Sequence, residues 1–213
     1  MVMRLVFRLS KVLPLLALAA AAFWLLARHR RGPCPFSARW LLHLPLRGLA
    51  HPVRRTLRES HVRPGAIVLE LGPGTGYFSL EAARIVGPKG RLVCIDLQPD
   101  MAMALRRRLS SSDARNADVV IGEAGALPLA DQSVDCAFLV TVLGEIPDRP
   151  RALRELRRVL APQGILSVTE TLPDPDYQFM GSVRDLAGAA GFQVLEETRR
   201  FLGYTLNFAR SNQ

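Results

Sequence analysis

From about residue 64 onward, short apolar runs alternate with amphipathic stretches. Residues 67–71, 92–96, 118–121, 134–140 and 165–170 are almost continuously apolar, the pattern of strands buried on both faces of a parallel sheet. Helices are expected between them, over residues 77–86, 99–109 and 150–160. In the last of these Leu153, Leu156, Val159 and Leu160 share one face, with Arg154, Glu155, Arg157 and Arg158 largely on the others. The spacing Ser182-x-x-Asp185 reads as a capping-box variant for a further helix that Gly191 would stop. Two closing strands are predicted over 192–196 and 202–208. Alternation of this kind specifies an α/β architecture, a doubly wound and mostly parallel seven-stranded sheet.

A different pattern precedes it. Residues 12–27, VLPLLALAAAAFWLLA, form a sixteen-residue run without a charge, with Arg8 and Lys11 before it and Arg28, His29, Arg30 and Arg31 after it. A membrane span takes about 20 residues, a length reached by counting from Leu5 with the flanking basic side chains snorkelling to the headgroups. The rival reading is a cleaved signal peptide, but the run continues through Phe23, Trp24, Leu25 and Leu26 and ends without a small-residue cleavage site. The expectation is therefore a retained hydrophobic helix over 1–31, spanning the membrane or lying on it. Residues 32–54, with Pro33, Pro35, Pro45 and Pro52, read as a linker and amphipathic approach, and 55–213 as the globular domain.

Charge sharpens this division. The formal net charge is +9, yet residues 1–63 hold twelve Lys or Arg against Glu59 alone, while the rest carries sixteen basic and eighteen acidic residues. A basic segment joined to an apolar run fits an anionic membrane surface better than a nucleic-acid groove, so no nucleic-acid partner is expected. Basic residues concentrate after the run rather than before it, which places the domain on the cytosolic side. Cys34, Cys94 and Cys136 show neither C-x-x-C spacing nor a His pair, so neither a metal site nor a disulfide framework is expected. His43, His51 and His61 likewise lack a partner pattern and read as ordinary surface or interfacial residues.

The densest chemistry lies at VLELGPGTGYFS, residues 68–79. Gly72, Gly74 and Gly76 let the backbone turn sharply from strand to helix and approach a ligand closely, and the following helix would offer free N–H groups to an anion. A dinucleotide fingerprint requires a third glycine at position 77, where this chain has Tyr77. The spacing is instead Glu70-x-Gly72-x-Gly74-x-Gly76, and Asp96 ends the second strand 24 residues after Gly72. Next come VVIGEAGALPLADQSVDCAFLV and ALRELRRVLAPQGILSVTE.

In this order the landmarks resemble the class I S-adenosylmethionine-dependent methyltransferases, nearest in look to the quinone-biosynthesis type, over residues 55–213. The resemblance implies a Rossmann-like fold and S-adenosylmethionine as cofactor. It implies that Gly72, Gly74 and Gly76 bind the cofactor, that Glu70 anchors the loop and the cofactor's amino group directly or through water, that Asp96 accepts from both ribose hydroxyls, that Leu97 packs on adenine, and that Glu123 receives the adenine amino group. Glu123 is longer than the usual Asp there. Thr141 joins the cofactor site at the end of the fourth strand, and Glu145, the ionisable group in TVLGE, is the candidate general base, with a helix-start carboxylate as its plainer role. Asp174, Asp176 and Tyr177 face either the acceptor or an ordinary Pro-Asp turn. Asp135 reads as a strand-start brace, and Arg106 to Arg108 as a solvated helix face.

The expected activity is methyl transfer, at a membrane, to a small-molecule or lipid acceptor such as a quinone precursor. The competing classes are a noncatalytic cofactor-binding membrane adaptor and a nicotinamide-dependent oxidoreductase, the latter disfavoured by the glycine spacing.

Overall fold

The computed structural model describes residues 52–172 and 174–211. The apolar run at 12–27, the basic residues around it, Cys34, His43 and His51 lie outside the described residues. Among the described residues no helix is long and apolar enough to cross a membrane.

The chain enters through α1 (Val53–Glu59) and then builds β1 (Ile67–Leu71), α2 (Ser79–Val86), β2 (Arg91–Asp96), α3 (Pro99–Ser110), β3 (Ala117–Ile121) and β4 (Val134–Val140). A 3-10 turn (Leu143–Glu145) leads to α4 (Arg149–Val159), β5 (Leu160–Thr171), α5 (Met180–Ala189), β6 (Phe192–Arg200) and β7 (Gly203–Arg210). The seven strands form one sheet in the order β3-β2-β1-β4-β5-β7-β6. Strands β1 to β5 are parallel, and β7 inserts antiparallel between β5 and β6. Seven strands, most of them parallel, agree with the alternation of runs; the antiparallel β7 between β5 and β6, which makes the sheet mixed, was not part of that expectation.

Side-chain alternation sends Leu69, Leu71, Ala137, Leu139, Leu166 and Val168 to one face, where α4 and α5 cover them. On the opposite face Val68, Cys94, Cys136 and Phe138 pack beneath α1, α2 and α3. Helix α4 turns the apolar face predicted for it onto the sheet. It starts where Asp148 Oδ1 accepts from the Arg151 N–H at 3.0 Å and Pro150 occupies the first turn. Asp135 does brace a strand start, its Oδ2 accepting from the Ile67 N–H at 2.8 Å.

Several expectations need correction. Helix α2 begins at Ser79 rather than at 77, because the glycine loop keeps turning through Phe78. Strand β5 begins at Leu160 rather than 165: Leu160 pairs with Val134 and Ile165 with Cys136, so residues between Leu160 and Ile165 bulge out of register. The capping box is absent. Phe179 is the N-cap of α5 and makes no side-chain cap, which leaves Ser182 exposed within the first turn. The Arg106 to Arg108 run is not merely a solvated face, since Arg106 Nη2 donates to the Val119 carbonyl at 2.8 Å and Arg108 Nη1 to the Thr75 carbonyl at 3.3 Å. His61 has an acidic partner, Glu196, 2.8 Å away across the sheet edge, and that contact holds the Glu196 carboxyl below the usual range.

Candidate active site

Strand order reverses between β1 and β4, and the crevice above their carboxyl ends is where a doubly wound sheet receives a ligand. The loop after β1 is built by three glycines with three different jobs. Gly72, at φ +69°, passes so close to the loop after β4 that a Cβ would lie 2.6 Å from Val142 Cγ2. Gly76, at φ +84°, packs on α3, where a Cβ would meet Leu105 Cδ1 at 2.4 Å. Gly74, at φ +56°, turns its N–H to Asp96 Oδ2 at 3.0 Å.

Asp96 joins the loops after β1 and β2. Its Oδ1 accepts from the Gln98 N–H at 2.9 Å, so it shapes the approach to α3 while Gln98 itself is the N-cap. Burial pushes the Asp96 carboxyl above its ordinary range, and the two backbone N–H donors partly offset that rise. Glu70 lies behind the loop, 3% exposed, with its Oε2 3.6 Å from the Cys94 thiol. Desolvation together with that carboxylate pushes the Cys94 thiol well up, and burial pushes Cys136 up to about 12, so both are inert protonated thiols. Leu97 presents an exposed apolar side chain, and Glu123 is exposed just after β3, next to Gly122, whose N–H donates to the Asp96 carbonyl at 3.0 Å.

Across the crevice Thr141 adopts φ +54°, a costly conformation for a β-branched residue that is held by its N–H donating to the Thr169 carbonyl at 2.8 Å. The 3-10 turn that follows carries Glu145, half-buried. Arg149 fixes this turn through the Leu143 and Gly144 carbonyls at 3.0 and 2.8 Å. Gly144 presses against the β5–α5 loop, since a Cβ there would lie 1.9 Å from the Asp176 carbonyl oxygen. In that loop Asp174 makes the turn: its Oδ1 accepts from the Asp176 N–H at 2.8 Å. Sequence reasoning passed over one residue of this region. Glu170, taken only as a strand end, is a 1% exposed carboxyl beside Tyr177 and Tyr204, and its signal was a lone acid continuing the Leu166, Val168 alternation.

Residues 68–164 match the methyltransferase domain family. On the sheet described above, this match supports a domain of the class I S-adenosylmethionine-dependent methyltransferase type. The chain is 38% identical over 142 residues to an arsenite methyltransferase of Halobacterium salinarum, covering 65% of this chain and 36% of that protein. It is 39% identical over 118 residues to the ubiquinone/menaquinone biosynthesis C-methyltransferase UbiE of Hahella chejuensis, covering 55% of this chain and 47% of that one. The chain thus spans about a third to a half of the length of these curated relatives. A SAM-dependent methyltransferase from Aquifex aeolicus superimposes with a TM-score of 0.78 at 23% identity, over 82% of this chain and 98% of that one.

The cofactor of this methyltransferase family is S-adenosylmethionine, and the residues present fit it. Gly72 leaves backbone bare where a side chain would collide with Val142 across the crevice, Gly74 turns its N–H to the buried acceptor Asp96, and Leu97 offers an apolar face. Among the described residues no group of three His, Cys, Asp or Glu side chains is placed to hold a metal.

Proposed function

We propose that this chain is a membrane-anchored S-adenosylmethionine-dependent methyltransferase whose acceptor is lipophilic, a quinone precursor or lipid. The observation that carries the methyl-transfer reading is the clamp of Asp96 on the glycine loop at the switch point, on a family-matched domain. When bound, the cofactor supplies a sulfonium-activated methyl whose departure leaves a neutral thioether, so the protein mainly has to align an acceptor lone pair with the S–C bond.

Asp96, with lone pairs left on both oxygens, takes the ribose hydroxyls, and the exposed Leu97 covers one face of the adenine. Glu123 takes the adenine amino group. Gly72 and Val142 fix the width of the crevice, and Thr141, strained and pinned to β5, sets where the acceptor side begins. Glu145 stands on that side as the group that takes a proton from an acceptor that must lose one.

Support for a lipophilic acceptor comes from the rim of that side. Leu172, Phe179, Phe201 and Leu202 are 40%, 69%, 100% and 44% exposed around the end of β5 and the β6–β7 hairpin, and the Leu172 N–H donates to the Leu202 carbonyl at 2.7 Å. An apolar run at 12–27 would hold such a rim near a bilayer and raise the effective concentration of a membrane-resident acceptor. Likeness to UbiE-type enzymes agrees with this choice.

Calorimetric titration of the full chain with S-adenosylhomocysteine and with NADH tests the cofactor, and radiolabelled methyl transfer into a membrane lipid extract tests the acceptor. Binding of the first ligand alone, with label entering the lipid fraction, is expected. Binding of NADH instead would overturn the methyltransferase reading, and label confined to water-soluble acceptors would overturn the lipophilic one.

A further inference from the structure

Two strands from the glycine loop, near the carboxyl end of β5, the sheet buries an acid that the functions assigned above leave unused. Strand alternation places Glu170 on the face that carries Leu166 and Val168, toward α4 and α5. The residue is 1% exposed. Its Oε2 accepts from the Gln178 N–H at 3.3 Å, and Oε1 has no hydrogen-bond partner among the described residues. Buried polar atoms are paired as a rule, and those that are not tend to mark sites of function.

Its surroundings are aromatic and proton-rich. Tyr204 is directly paired with Glu170 across β5 and β7, and its hydroxyl donates to the Gln178 carbonyl at 2.6 Å. Tyr177 stands edge-on to Tyr204, with ring centroids 6.0 Å apart, and to Phe179 at 5.6 Å. The charged groups acting on Glu170 are Asp174 in the same loop, Glu145 on the 3-10 turn and Arg149 at the start of α4. Burial, reinforced by Asp174 and Glu145, raises the Glu170 carboxyl well above the carboxylate range, and the same burial raises both tyrosines. Burial thus favours the neutral form of Glu170, a carboxyl with a proton to donate, and Glu145 remains the separate candidate for receiving one.

If Glu170 only fastened the β5–α5 loop, one oxygen toward Gln178 would suffice and an amide would serve as well. The second, buried oxygen calls for a further partner. We propose that Glu170 binds the acceptor, hydrogen-bonding through Oε1 to the oxygen of a phenol or quinol, while Tyr177, Phe179 and Tyr204 pack around the acceptor's ring. The inference rests on the methyltransferase reading for the location of the acceptor. Donation from a neutral carboxyl to that oxygen stabilises the negative charge that grows there when the acceptor loses its proton. Tyr177, half-buried over Glu170, has to swing aside to admit the ring.

The test uses the full chain saturated with S-adenosylhomocysteine and two probes of the same shape, 1-naphthol and naphthalene, followed by ligand-observed NMR. The parent should bind 1-naphthol about tenfold more tightly than naphthalene, the worth of one good hydrogen bond from a buried group. Glu170→Leu should bring the ratio to about one without changing affinity for S-adenosylhomocysteine. Glu170→Gln, whose amide still donates, should keep an intermediate ratio. A ratio unchanged in Glu170→Leu, or no preference in the parent, overturns the proposal. Should Glu170→Leu fail to fold, the ratio is read instead in Glu170→Met, which is of similar length and cannot donate, and an unchanged ratio there overturns the proposal equally. Failure of the parent to bind S-adenosylhomocysteine would instead overturn the methyltransferase reading, and the same titration reports it.

Discussion

Replacing Asp96 with Asn changes one atom and separates the two duties the structure gives this residue. In the parent each carboxylate oxygen accepts one backbone N–H, from Gln98 at 2.9 Å and from Gly74 at 3.0 Å, and each keeps a lone pair for a ribose hydroxyl. The amide can accept at only one position, and its NH2 must face either a backbone N–H or a hydroxyl. A charge-assisted hydrogen bond contributes about 1.5 to 3 kcal/mol, so losing one or two ribose contacts weakens S-adenosylhomocysteine by roughly ten to twenty-thousandfold. The effect on stability should be far smaller. Burial already disfavours the ionised Asp96, so a neutral amide recovers desolvation energy while losing one backbone contact. A net change within about 1 kcal/mol moves the thermal midpoint by only about 2 to 4 °C. Calorimetric titration paired with a thermal melt reads both quantities. The parent should also lose affinity as pH falls through the raised Asp96 pKa, because the ionised form is the better acceptor of hydroxyl donors, and that acid limb should vanish in the variant. A folded Asp96→Asn that binds within threefold of the parent, or that keeps the acid limb, would refute the assignment.

Gly76→Ala should act on the fold rather than the ligand: its φ of +84° imposes roughly 1 to 2 kcal/mol of left-handed strain and its Cβ would push Leu105 aside, so a melting point about 2 to 8 °C lower is expected, with cofactor affinity per folded molecule retained. Equal melting points for parent and variant would contradict the packing role. Glu155 accepts from Arg158 at 2.8 Å, and Arg158 reaches on to Asp131 and to the Leu127 and Leu129 carbonyls, pinning the loop before β4. The Arg158 partner holds the Glu155 carboxyl below its ordinary value, so its stabilisation is present above the unfolded-state pKa and is lost as pH falls through the folded one. Urea midpoints measured from about pH 6 down to pH 3 should fall more steeply in the parent than in Glu155→Gln, and parallel curves would remove Glu155 from the acid response.

What could be read ahead of the structure follows the range of the interaction concerned. Strands β1 and β4 were legible to the residue, because a strand buried on both faces is mostly apolar, here apart from Glu70 and Asp135, and Gly72, Ser133 and Thr141 mark its limits. The glycine loop and Asp96 were legible as a set, since their spacing repeats a local turn and the length of one strand-helix-strand unit. Chain spacing did not reveal which glycine serves which purpose. Gly72 owes its lack of a side chain to Val142 and Gly76 owes its own to Leu105, contacts between residues seventy and twenty-nine positions apart. The same holds for the acceptor side. Gly144 against Asp176, and Glu170 among Tyr177 and Tyr204, arise only because β4 and β5 lie side by side while β7 inserts next to β5 in the opposite direction. An acid at the end of an apolar strand looks, in one dimension, like the place where the strand leaves the core. Only the sheet order shows that the core continues past it, and that the carboxyl there must either be neutral or meet a partner.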